Sequence, residues 1–264
     1  MPSIAHMSKV IMSPANPEIK RLKNLGRASD RRRHGCFVVE GRRAISGFLD
    51  HGWQPEQILV EIDRPVPAAW RDLPMTRVSA RALAAVANSC SAAGYIAVFA
   101  IPTEDDAWRP EEGGLLLCGV SDPGNVGTLM RSAAAFGRYQ VILLAGADPY
   151  APKVVQASAG ALAAVRLRRV DSLEDMADLL GPVPVAGLVV TGGQAVESLA
   201  GQAIWLAVGS EAHGLSDAQL ARCQYQVTLP MPGGGDSLNA AVAGSIALYQ
   251  LTCSMPDPKP KNGS

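Results

Sequence analysis

Apolar residues gather along this chain in short runs such as CFVVEG, QILVEI and YIAVFA within the first hundred residues. Beyond them come LLLCGV, VILLAG, VRLRRV, VAGLVV, IWLAVGS and YQVTLP. Between the runs, apolar side chains recur every three or four positions, the period of a helix with one buried face. The helices expected are a basic one from Asn16-Pro17-Glu18 to about Arg33, one carrying Ala44, Ile45, Phe48 and Leu49, and one near Ala82 to Ala87. Later ones run from about Asn125 to Phe136, Val154 to Ala164, Leu173 to Leu180, a short piece near Ala218, and Leu238 to Leu251. Strands without polar alternation, separated by helices, predict an α/β fold: a parallel sheet covered on both faces, preceded by a smaller α/β unit. Such sheets bind ligands beyond the carboxyl ends of their strands.

The stretch IPTEDDAWRPEEGG is acidic, rich in proline and glycine, and has little to bury. It divides the chain into a first domain (8–101), a linker (102–113) and a second domain (114–253), with a tail over 254–264 expected to be frayed and disordered. Hydrophobic residues make up 48% of the 264 positions and charged ones 18%, which excludes disorder as the main state. No run approaches the roughly 18 apolar residues of a membrane helix, and no apolar block with a cleavage site opens the chain. Five widely spaced cysteines (Cys36, Cys90, Cys118, Cys223, Cys253) without a CxxC pair read as reduced thiols of a cytoplasmic protein, with no metal cage. The formal net charge is zero, yet residues 1–50 hold ten Lys/Arg against four acids. A basic first segment on an otherwise acidic chain suits contact with phosphates, with Lys20, Arg21, Arg31, Arg32, Arg33 and Arg42 as candidates. A solvated helix face is the bland alternative.

Three stretches carry candidate chemistry. In SDPGNVGTLMRSAAAFG, Val126, Leu129, Met130, Ala133 and Ala134 form a buried stripe, while Gly127 and Arg131, four apart, share another side. Asn125 lies in the first turn, where backbone amides are free. In LAVGSEAHGLS, a buried strand ends in a glycine turn that leaves Glu211 at its carboxyl end. His213 reads as a loop side chain, since no second ligand stands at metal spacing. In YQVTLPMPGGGDSLNAAVAGSIALY, a glycine loop leads to Ser237-Leu238-Asn239 at the start of an almost wholly apolar helix, read as a deeply buried rod. Neither GxGxxG after a strand, nor GxxxxGK[ST], nor GxSxG is present, which removes the usual dinucleotide, P-loop and hydrolase readings.

In this order, DPGNVGTLMRSAAAFG, VGSEAHGLS and LPMPGGGDSLNAAVAGSIALY resemble the three motifs of the SpoU (TrmH) family of RNA ribose 2′-O-methyltransferases, within the SPOUT class. DPYAPKVVQASAG is similar to the family's segment after the second strand, with Gln156 where many members carry arginine. The basic first domain is similar, more loosely, to the RNA-binding domain of ribosomal-RNA members, including resistance enzymes of the thiostrepton and avilamycin type. The resemblance implies a trefoil-knotted catalytic domain, a homodimer with its site near the interface, S-adenosylmethionine as methyl donor and a ribose 2′-hydroxyl of RNA, ribosomal rather than transfer, as acceptor. It assigns Asn125 and Arg131 to the first motif, Glu211 to the second, and Ser237 and Asn239 to the third. Thr191, Gly209, Leu229, Met231 and Leu238 fall where members hold the cofactor. No membrane and no metal are implied. Arg131 is expected to stabilise a developing alkoxide, because a guanidinium does not readily give up a proton. Glu211 is either a proton acceptor, if burial raises its pKa, or an orienting acceptor for Asn125 or Arg131. A tRNA 2′-O-methyltransferase is an alternative within the family, a non-catalytic RNA-binding or ribosome-assembly factor the alternative from another class, and a nucleotide-dependent oxidoreductase a third.

Overall fold

A computed structural model of the chain describes residues 10–88, 94–103, 108–234 and 237–252. The expected tail, the middle of the expected linker (104–107), Cys90 and Cys253 lie outside the described residues. The chain forms two compact units, and the segment Asp148–Ala164 is grouped with the first although the chain enters and leaves it from the second.

In the first unit, β1 (Val10–Ile11), α1 (Pro17–Asn24), α2 (Ala28–His34), β2 (Cys36–Glu40), α3 (Arg42–Asp50), β3 (Pro55–Glu61), β4 (Met75–Val78), α4 (Ala80–Val86) and β5 (Tyr95–Ala100) follow in order. The sheet runs β1-β4-β3-β5-β2 and is mixed, since β5 pairs antiparallel with both β2 and β3. The single basic helix expected to about Arg33 is two helices. α1 starts as read, with the Asn16 side chain accepting from the Glu18 amide at 2.9 Å and Pro17 in its first turn. It stops at Asn24, before Gly26, and α2 ends on Gly35 at φ 62°, a left-handed position that glycine adopts without strain. Ile19, Leu22 and Leu25 pack into a core with Val38, Leu59 and Val98.

In the second unit come β6 (Gly113–Cys118), α5 (Pro123–Ala135) and β7 (Gln140–Leu144). The chain then runs through α6 (Pro152–Ser158), which belongs to the first unit, and returns as β8 (Arg166–Val170). α7 (Leu173–Leu180), β9 (Val185–Leu188), β10 (Gln194–Ala195), β11 (Ile204–Val208), α8 (Asp217–Leu220), β12 (Tyr225–Thr228) and α9 (Ala240–Thr252) complete the unit. The sheet has seven strands, β10-β12-β9-β11-β6-β7-β8, and every pairing is parallel. β6, β7 and β11 are buried along their whole length, as unbroken apolar runs require in a sheet covered on both faces. Among the described residues, no helix is long and apolar enough to cross a membrane.

Two helices position the site. On α5 four members of the expected stripe, Val126, Leu129, Met130 and Ala133, are buried, and the fifth, Ala134, is half-buried. α9 lies along α5: Ser132 and Ser245 hydroxyls meet at 2.7 Å, and a Cβ on Gly244 would come within 2.5 Å of Leu129. α9 is not the fully buried rod expected, however. Ala241, Gly244, Ala247, Leu248 and Leu251 face inward, while Val242, Ile246 and Tyr249, one stripe at helical spacing, are exposed.

Asp148–Ala164 is held in the first unit by specific contacts. The Tyr150 ring lies 4.9 Å from that of Phe37, inside an aromatic cluster with Phe48, Trp53 and Phe99. The Trp53 indole donates to the Ala163 carbonyl at 3.1 Å, and a Cβ on Gly47 would sit 3.6 Å from Gly160.

Candidate active site

α5 begins directly beyond β6, with Asp122 as its cap: its carboxylate accepts from the Asn125 amide at 2.9 Å, and Pro123 opens the first turn. This leaves the Asn125 side chain, nearly buried, free to point toward the end of β11. There β11 turns sharply. Ser210 and Gly214 exchange backbone hydrogen bonds at 3.0 and 2.9 Å, and the turn folds so closely onto Gly209 that a Cβ would lie 2.1 Å from the Gly214 carbonyl carbon. Any side chain at 209 would force this turn open. The turn carries Glu211.

The Glu211 carboxylate is a clamp. Oε1 accepts from Asn125 Nδ2 at 2.9 Å and from the Asp122 amide at 3.1 Å; Oε2 accepts from the Ser121 amide at 3.2 Å and hydroxyl at 3.3 Å. Burial alone would raise its pKa, but the hydrogen bonds from Asn125 and from backbone amides outweigh that and bring it down to about 2. The carboxylate accepts from and so orients Asn125, one of the partners expected for it, and its lowered pKa leaves it ionised at neutral pH.

The third motif joins the same network. Asn239 Oδ1 accepts from the Ala241 and Val242 amides at 2.9 and 3.2 Å, which makes it the cap of α9, and its Nδ2 donates to Asn125 Oδ1 at 3.0 Å. The orientation of each amide is dictated: one end of Asn125 must donate to a carboxylate, so the other must accept. Amides of α9, Asn239, Asn125, Glu211 and the entry to α5 thus form one continuous relay through all three motifs.

Beside this relay lies a cavity of about 510 Å³, lined by Leu188, Val190, the Gly209–Gly214 turn, Leu229, Met231 and residues 237–240 among others. Gly209, Glu211, Leu229, Met231, Ser237, Leu238 and Asn239 all line it. Thr191 does not, although its neighbour Val190 does, and neither does Arg131. Arg131 is exposed on α5, and its guanidinium makes no hydrogen bond or ion pair among the described residues. Among the described residues no cluster of His, Cys, Asp and Glu could hold a metal. Two contributors were not singled out in the sequence. Asp122 and Ser121 fix Glu211 and the start of α5, and the Asp-Pro pair is a helix-start signal that could have found the first.

In the first unit, Lys20, Arg32, Arg33 and Arg42 are exposed, and Arg21 is engaged with Glu18 at 2.8 Å. Arg31 is a correction. It is 3% exposed and donates to Asp148 at 2.6 and 3.2 Å and to the Leu25 carbonyl at 2.7 Å, so it faces inward and presents no cation to a phosphate. Gln156 is exposed on α6.

The second unit is all-parallel α/β, with its polar relay and cavity beyond the carboxyl ends of the strands, and its residues 114–249 match the SpoU rRNA Methylase family. Residues 16–97 match the MRM3-like substrate binding domain. The chain is 32% identical over 246 residues to the 23S rRNA (uridine(2479)-2′-O)-methyltransferase of Streptomyces viridochromogenes, covering 86% of this chain and 85% of the relative. It is 29% identical over 249 residues to the 23S rRNA (guanosine(2553)-2′-O)-methyltransferase RlmP of Bacillus subtilis, covering 92% and 99%. The solved SpoU methyltransferase AviRb from Streptomyces viridochromogenes, in complex with AdoMet, is similar with a TM-score of 0.81 at 29% identity over 90% of this chain and 97% of that one. The chain belongs to the SpoU rRNA methylase family.

Proposed function

We propose that this chain transfers a methyl group from S-adenosylmethionine to a ribose 2′-hydroxyl of ribosomal RNA, acting as a homodimer in the cytoplasm. The relay from Glu211 through Asn125 to Asn239, set against the cavity, carries this reading. The cavity suits the cofactor: its volume lies within the roughly 300–1,000 Å³ of small-molecule sites, and Leu188, Val190, Leu229 and Leu238 offer apolar walls for a nucleoside. Glu211 lines the cavity and is ionised at neutral pH, which suits a ligand that carries positive charge. When bound, the cofactor supplies an electrophilic methyl on a sulfonium.

A ribose hydroxyl is barely ionised at neutral pH, so the chain must stabilise negative charge on the oxygen and hold it in line. Arg131, without a partner among the described residues, takes the first task. It does not line this chain's own cavity, so we assign it to the acceptor side of a site completed where two copies meet. The exposed apolar stripe of Val242, Ile246 and Tyr249 on α9, the helix that also caps the relay, is the face we assign to that contact. We further propose that α9 is threaded as the family resemblance implies. Asn125 and Asn239 hold the motif loops in register, and Ser237, at the cavity, holds the ribose. The proton passes to water rather than to Glu211.

Methyl incorporation from labelled cofactor into ribosomal RNA tests this. Arg131→Ala should lose about 100- to 1,000-fold in rate, as for removal of one charge-stabilising donor, with cofactor affinity kept and the protein sedimenting as a dimer. Equal activity in the variant removes Arg131 from the mechanism.

A further inference from the structure

The amino-terminal end of the second unit's sheet, opposite the site above, holds another cavity of about 540 Å³, between the starts of β6, β7, β8 and β11. Arg138, two residues before β7, lines it and is 6% exposed. A guanidinium brings five N–H donors and a charge it does not shed. Here it is answered by three main-chain carbonyls, of Glu112, Gln202 and Leu251, at 3.3, 3.3 and 3.4 Å, all at the long end of the hydrogen-bond range. Among the described residues its Nε has no acceptor and it forms no ion pair. Burial lowers its pKa, so the charged form is held there against a cost.

Arg166 lines the same cavity as a second cation, half-exposed, with Glu112 Oε2 3.8 Å away, too far for a hydrogen bond. That carboxylate accepts instead from Gln140 Nε2 at 3.2 Å. Tyr139 is exposed at the rim, and the glycine at 137 (φ 72°) leaves open space where a Cβ would stand. Filling this place with an apolar side chain would serve packing better than a buried cation with no counter-charge. Both arginines line this one cavity, and a group with several acceptor oxygens is the chemistry that suits such a pair.

We propose that this cavity binds a phosphate group, with Arg138 as its buried anchor and Arg166 as its outer cation. The phosphate is either a backbone phosphodiester of the RNA, which rests on the function proposed above, or free phosphate.

The test is thermal unfolding of the full chain at constant ionic strength as inorganic phosphate replaces chloride. Wild type should gain stability saturably. Arg166→Gln should weaken the apparent affinity about tenfold, as loss of about 1.4 kcal/mol from one charge-assisted contact implies. Arg138→Met, if folded, should abolish the shift. Glu112→Gln, which removes a competing negative charge, should tighten binding several-fold. No phosphate-dependent shift in wild type, or none of these changes in the variants, makes Arg138 a tie between chain ends and overturns the proposal. The source is read from RNA binding against salt: a slope reduced by about 0.7–0.9 in Arg166→Gln identifies a phosphodiester, and an unchanged slope with the phosphate shift intact identifies free phosphate. If wild type shows the shift but no methyl transfer, the catalytic reading fails and this site stands.

Discussion

The first unit ties up its buried polar side chains through an ion pair, the second through amides and a carboxylate. In the first, an arginine from the middle of a basic run is drawn inside and paired with Asp148, leaving its neighbours Arg32 and Arg33 in solvent. In the second, Asn125, Glu211 and Asn239 are tied to one another, and Arg131 is left outside the network. Adjacent residues of one type therefore hold different jobs. The availability of a charge depends on whether the fold has already given it a partner, which counting charges along a sequence does not reveal.

This contrast can be broken most severely at Arg31. Arg31→Met leaves Asp148 without its cation and should destabilise the chain by about 3 kcal/mol, the lower end for breaking a buried pair because Asp148 is partly solvated. Urea unfolding measures it; a loss below 0.5 kcal/mol, the ordinary size of a surface change, means that the pair does not hold the segment. Reversing Arg32 and Arg33 to Glu should do the opposite: stability within about 0.5 kcal/mol of wild type, but a flatter dependence of RNA affinity on salt. An unchanged slope removes these two from the phosphate-contacting face.

The effect expected at Glu211 depends on pH. Its folded-state pKa lies near 2, below its ordinary value of 4.5, so the carboxylate contributes stability above pH 4.5 and loses it as pH falls toward 2. Glu211→Gln should therefore be less stable than wild type at neutral pH, with the gap closing across that acidic interval. A gap that persists at pH 2 assigns the stabilisation to something other than the charged clamp.

Much of the second unit was legible because its strands are buried on both faces and read as unbroken apolar runs. The short strands Val10–Ile11, Met75–Val78 and Gln194–Ala195 were not, since two to four residues carry no usable period. The break at Leu25–Arg27 was hidden because Gly26 interrupts a pattern whose charge runs on unbroken. At the site, the three motifs announced Asn125, Glu211 and Asn239, but not which of them met. That Asn239 rather than Ser237 caps α9 depends on where the loop enters the helix, and that Glu211 is held ionised depends on amides from a segment some ninety residues away. Arg138 gave no signal, because nothing in its neighbours foretells burial.

The crossover between β7 and β8 has an outcome for how such a protein can be divided. Its strands belong to one unit while Tyr150, Val154 and Val155 are packed in the other. A fragment starting at Gly113 would carry all three motifs yet expose that stretch stripped of its aromatic partners. A gene fusion or deletion made at the acidic stretch would therefore part the segment from Tyr150 to Ala163 from Phe37 and Trp53, against which it packs.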